Sequence, residues 1–216
     1  MKSRNLKLTG LLVLILFCTW AMASGSGPAR SELERFSDGL LSLQLDFTQV
    51  VKSQDGSVQD QTAGKAWLQS PDKLRWVYTG DFPETIVADG RNVWIHDEAL
   101  QQVTVKPQSS QVANAPLLIL TDISQLDQQF RVTELGEFED MELLELKSNN
   151  AESEFERILM GMDPGGIRMM IMEDAFGQRT EIHFENVIRN ATIESQLFSF
   201  NPPDDADVVG EITPLE

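Results

Sequence analysis

"SPDKLRWVYTG", residues 70–80, decides how the chain is read. Past the proline, Leu74, Trp76 and Tyr78 fall on one side of an alternating run. Lys73, Arg75 and Val77 fall on the other. A period of two marks a half-buried strand. So large an apolar face needs a cover, and the neighbouring sequence must say whether it belongs to a filled core or to the wall of a chamber.

Working outward, the same period recurs. Leu43, Leu45 and Phe47 alternate with Gln44, Asp46 and Thr48, in a strand that runs on through Val51. "GKAWLQ" from Gly64 is a second strand, and "ETIVADGRNVWIHD" is two strands about an Asp89-Gly90 hairpin turn. "QQVTVKP", "FRVTEL", "MELLELK", "FERILMGMD", "GIRMMIMED" and "GQRTEIHFENVIRN" continue the pattern, with a last strand in "FSFNPPDDADVV". About ten strands and two or three helices are expected. Neither tandem repeats nor a strand–helix alternation is present, so the fold class is mainly β (α+β), a single strongly curved antiparallel sheet with helices placed against it. One helix is "SELERFSDGLL", with Ser31 and Glu34 at capping-box spacing and Leu33, Phe36, Leu40 and Leu41 as an apolar stripe. The other follows Pro116 and contains Leu117, Leu118, Ile119 and Leu120. A short helix apolar on nearly every side implies a partner on each side of it.

The amino terminus stands apart. Lys2, Arg4 and Lys7 precede the apolar run Leu11–Phe17, and Ala21 and Ala23 place small residues at a cleavage site. This reads as a secretory signal peptide of residues 1–23, leaving residues 24–216 as one domain. The run is too short for a spanning helix, which needs about 20 apolar residues. Phe17 before Cys18 is too bulky for a lipidation signal. Cys18 is the single cysteine, so the exported chain holds no disulfide and no cysteine-based site. Without the three leader cations, fourteen basic side chains face 34 acidic ones, a net charge of −20. Such a surface repels nucleic acid and anionic lipid headgroups.

Residues suited to catalysis are sparse. His96 and His183 lie in separate strands, and Asp97 points to the opposite face from His96. The sequence has no phosphate-binding loop, nucleophile elbow or metal-ligand spacing. The expectation is a binding protein without metal or cofactor, not an enzyme. Met160, Met162, Met169, Met170 and Met172 crowd one stretch. Flexible methionines suit either a core or a surface that accepts varied apolar shapes.

"LLSLQLDFTQVV", "GKAWLQSPDKLRWVY", "TIVADGRNVWIHD", "LQQVTV", "NAPLLILTD", "FGQRTEIHFENV" and "FSFNPP", in that order, resemble the LolA family, periplasmic carriers of outer-membrane lipoproteins. The match runs from about Ser31 to Pro203. The resemblance implies an incomplete antiparallel barrel with helices as a lid over an apolar cavity that shelters acyl chains. It also implies a monomer with three kinds of partner: outer-membrane lipoproteins, an inner-membrane ABC-type complex that releases them, and an outer-membrane receptor. Carried over residue by residue, the cavity and lid would include Phe47, Leu74, Trp76, Trp94, Leu117, Leu118 and Leu120. Trp67 and Trp94 match family positions, but strand parity leaves open which way they face. One departure concerns gating. Where the family has an arginine that ties down the lid, this chain has Ser70. The alternative reading is a periplasmic lipid- or amphiphile-binding module with a different cargo.

Overall fold

The computed structural model describes residues 27–108, 116–120, 123–151 and 153–213. The expected signal peptide, residues 1–23, lies outside the described residues.

Twelve strands form one sheet: β1 (Ser42–Lys52), β2 (Val58–Gln69), β3 (Lys73–Thr79), β4 (Glu84–Ala88), β5 (Asn92–Asp97), β6 (Gln102–Pro107), β7 (Phe130–Phe138), β8 (Met141–Ser148), β9 (Phe155–Asp163), β10 (Gly166–Asp174), β11 (Arg179–Arg189) and β12 (Asp207–Gly210). Their spatial order is β12-β6-β5-β4-β3-β2-β1-β11-β10-β9-β8-β7. Every pairing is antiparallel except that of β12 with β6. The ends of the series, β12 and β7, do not pair, so the sheet stays open.

Laid flat, twelve strands at about 4.8 Å spacing would span about 50 Å. Yet Val93 of β5 and Phe130 and Val132 of β7 pack into the same buried cluster. The sheet must therefore wrap around its contents. Its inner face is built by alternation: Leu43, Leu45 and Phe47 on β1, Ala66 and Leu68 on β2, Leu74 and Trp76 on β3, Ile158, Met160 and Met162 on β9, and Ile182 and Phe184 on β11.

The cover is α1 (Pro28–Ser37), a 3-10 turn at Pro116–Leu120, another at Ile123–Gln125, and α2 (Leu126–Gln129). Helix α1 starts three residues before Ser31, so the expected capping box is not what begins it. Its Gly27 cap makes no side-chain bond. The Glu134 carboxylate of β7 instead accepts the backbone N–H groups of Ala29 (3.1 Å) and Arg30 (2.9 Å). These are donors that a helix start leaves unmet, and the negative charge suits the positive end of the helix dipole. A partner over a hundred positions away leaves no local signature. The tail differs from expectation as well. After β11 comes a 3-10 turn, Ser195–Phe198, and the last strand begins only beyond Pro202 and Pro203. Proline cannot donate to a ladder, so pairing with β6 starts after both.

Candidate functional site

Between sheet and cover lies one continuous apolar interior. Its floor, along β1, β2 and β3, is set by register. Leu43, Leu68 and Leu74 lie side by side; Leu45, Ala66 and Trp76 form the next row; Phe47, Gly64 and Tyr78 the third. Opposed side chains on one face of paired strands interact directly. The aromatic rings do so closely, Phe47 and Trp76 at 4.1 Å between centroids and Phe47 and Tyr78 edge-to-face at 5.3 Å. Gly64 makes room for this group. A Cβ there would stand 2.6 Å from the Phe47 ring and would collide with the Val77 carbonyl.

The ceiling consists of the chain's own hydrocarbon. Leu33 of α1, Leu117, Ile119 and Leu120 of the 3-10 turn, and Leu126 of α2 are all at most 5% exposed and belong to the same cluster as Trp76 and Leu74. Ile119 was not among the residues carried over from the resemblance, but it is buried with Leu117 and Leu120, as a segment apolar on nearly every side requires. Leu118 shares that turn, and its side chain lies outside the described residues. Of the methionines, Met160, Met162, Met170 and Met172 face this interior, whereas Met169 lies outside the cluster, its Cβ directed toward Gly161.

Trp94 is placed elsewhere. Register sets it opposite Val87, one position out of step with the inward-facing Ile86 and Ala88. It joins Val87, Val103 and Val105 in a second cluster on the outer face, under Phe200 of the tail at 5.7 Å between centroids. Its indole N–H donates to Asp89 Oδ2 of the hairpin turn (2.8 Å), which holds it there. The assignment of Trp94 to the inner wall is thereby corrected. In "TIVA" both faces of β4 are apolar, so sequence parity could not choose between them. Trp67 likewise lies on the face opposite Ala66 and Leu68. His96 sits beside Phe200 and His183 is exposed on β11, so the two do not meet.

Ser70 sits at the β2–β3 turn, where its N–H donates to the Leu41 carbonyl (2.9 Å). Arg75, on the outer face of β3, donates to the Leu197 carbonyl at 3.2 Å, and burial lowers its pKa. A charged tie across the cover comes from another residue. Arg30 of α1 grips Asp127 of α2 with two bonds, Nη1 to Oδ1 at 2.8 Å and Nη2 to Oδ2 at 2.5 Å, and reaches Glu34 with Nε (2.9 Å). Such forked pairing is geometrically specific. Hydrogen bonds from Arg30 hold the Asp127 carboxyl below its ordinary value. With the folded pKa depressed, the contribution is complete above the ordinary carboxylate range and fades only as pH falls through the lowered value. The clasp is thus closed at neutral pH. Because Asp127 is mostly exposed, the tie is worth about 1 kcal/mol at most. Arg30→Met is expected to speed hydrogen exchange in residues 126–129 by up to about fivefold, read by mass spectrometry, with β1 and β11 unchanged.

An open cleft of about 650 Å³ lies at the β7–β9 end, lined mainly by polar and charged groups including Arg131, Lys147, Arg157 and Glu173. Arg157 is committed there to Glu173 at 2.6 Å. This cleft offers little to a hydrocarbon chain.

Comparison with known proteins agrees with the architecture. Residues 38–201 match the family model described as "Outer membrane lipoprotein carrier protein LolA". The chain is 36% identical over 183 residues to an outer-membrane lipoprotein carrier protein of Dechloromonas aromatica, covering 85% of this chain and 88% of that one. It is 36% identical over 199 residues to that of Methylococcus capsulatus, covering 92% and 95%. Among solved structures, a DUF1329 family protein from Desulfovibrio piger shares the fold, with a TM-score of 0.50 at 13% identity, covering 81% of this chain and 98% of that one. An open curved sheet roofed by short helices, matched along most of its length to these carriers, places the chain in the LolA family of outer-membrane lipoprotein carrier proteins.

Proposed function

We propose that this protein is a periplasmic chaperone that carries lipoproteins from the inner to the outer membrane, sheltering their acyl chains in the interior between sheet and cover. One observation carries the reading. The interior is walled by the sheet and plugged by Leu117, Ile119 and Leu120 of one short 3-10 turn, an element with few hydrogen bonds of its own to break. Burying one CH₂ yields about 0.8 kcal/mol, so a 16-carbon chain gains about 12 kcal/mol. Displacing five lid and helix side chains costs about 2 kcal/mol each, which offsets most of that gain. Capture and release are then near balance. Net transport needs energy at the loading step, which an inner-membrane ABC-type complex supplies, and a better-binding receptor at the outer membrane. The protein itself makes and breaks no covalent bond and works as a monomer.

Ser70 stands where relatives of the resembled pattern use an arginine, and the Arg30–Asp127 clasp takes over the charged part of holding the cover shut. The signal peptide delivers the chain to the periplasm, and its acidic surface keeps it off anionic bilayers. Native mass spectrometry of the mature protein, after incubation with spheroplasts secreting a labelled triacylated lipoprotein, tests the proposal. A one-to-one complex with the lipoprotein is the expected result. Recovery of free lipid alone would point to an amphiphile-binding module with another cargo.

A further inference from the structure

The inner face of β1–β3 changes character along its length. Two apolar rows, Leu43–Leu68–Leu74 and Leu45–Ala66–Trp76, give way to Phe47–Gly64–Tyr78, and then to Gln49 opposite Thr62. Two polar atoms at this end are buried and lack a hydrogen-bond partner: the Trp76 indole N–H and the Thr62 hydroxyl oxygen. Trp76 is only 6% exposed. Between them the Tyr78 hydroxyl donates to Gln49 Oε1 at 3.2 Å. The Trp76 N–H is near enough to ease ionisation of that hydroxyl, yet the pair does not have hydrogen-bonding geometry. Burial, and then the Glu84 charge, push Tyr78 up to about 12, so its proton is always present at physiological pH.

Orphaned donors inside an apolar interior are costly and rare, and each calls for a reason. A hydrocarbon tail cannot supply one, because methylene groups accept no hydrogen bond. The atoms able to meet these donors are at the root of an acyl chain, in its carbonyl linkage. The row order fits that chemistry, with methylenes along the leucine rows and the linkage at the Trp76–Thr62 end.

We propose that Trp76 and Thr62, on either side of the Tyr78–Gln49 pair, form a carbonyl-binding belt that recognises the glyceryl ester linkages of the cargo's acyl chains. The belt rests on the carrier reading above and adds to it a choice of linkage chemistry. It would let the protein distinguish ester-linked diacylglyceryl cargo from hydrocarbon of equal length.

Two synthetic peptides test this, each with an amino-terminal S-glyceryl cysteine. One carries two palmitoyl esters, the other two hexadecyl ethers, which lack the carbonyls. The mature protein is expected to bind the ester form about tenfold tighter, as one or two buried hydrogen bonds supply. In Trp76→Phe and in Thr62→Val the ester-to-ether ratio should fall toward one, whatever the absolute affinities. Equal binding of both peptides by the unmodified protein would overturn the belt while leaving the carrier reading intact. So would a ratio that persists in both variants. Failure to bind either peptide would remove the carrier reading and the belt with it. If a variant does not fold, the ratio in the unmodified protein decides alone.

Discussion

Leu74→Glu should abolish capture of acylated cargo, lowering affinity at least about a hundredfold. Leu74 is 7% exposed and lies in the apolar row Leu43–Leu68–Leu74. A carboxylate there has no cation facing it from the leucines around it, and an unpaired buried charge costs several kcal/mol. The side chain would escape by taking up a proton or by swinging the lid outward. Either way water enters the surface that the acyl chain needs dry. The reading is a fluorescence titration with a labelled lipopeptide, with Leu74→Met as the volume-conserving control expected to stay within a few fold. Melting curves separate loss of binding from loss of fold. Undiminished binding by a folded Leu74→Glu protein would show that cargo does not use this wall.

Leu120→Ala is expected to act in two opposite directions. Leu120 is fully buried in the cluster, and removing a core leucine to alanine costs about 2–5 kcal/mol through lost contacts and the cavity left behind. Denaturant unfolding should show that loss. Cargo affinity should meanwhile rise, by about tenfold, because an incoming chain no longer has to evict this side chain and finds a void in its place. Transfer onward to the receptor should slow by a similar factor. A leucine that serves only as core would lower stability without tightening binding, so a parallel loss of both would count against the lid's role as a competitor for the chamber.

Both arguments depend on which residues share the interior, and that was only partly legible beforehand. The rows of β1 and β3 could be read because Leu43, Leu45, Phe47, Leu74 and Trp76 alternate with polar neighbours, and alternation is a local consequence of the pleat. Trp94 could not be placed by the same rule, since β4, its hairpin partner, is apolar on both faces, with Ile86 and Ala88 on one and Val87 on the other. Its direction follows from hairpin register and from the tail that covers it. The cover shows the same division. A leucine run after Pro116 announced a segment buried on several sides, but its 3-10 geometry, which brings Ile119 inward, comes from packing.

Sequence alone therefore determined the strand periodicity and the presence of an apolar cover, because each follows from residues close together in the chain, and the acidic charge, which is a matter of composition. Tertiary structure decided the remainder. It set the inward face of β4 and β5, the start of α1 under the Glu134 carboxylate, the Arg30–Asp127 clasp and the line of unpaired donors from Trp76 to Thr62. These depend on side chains brought together from distant segments. Ion pairs and helix caps of that kind have no sequence period, because the distance that matters to a charge or a hydrogen bond is measured through space.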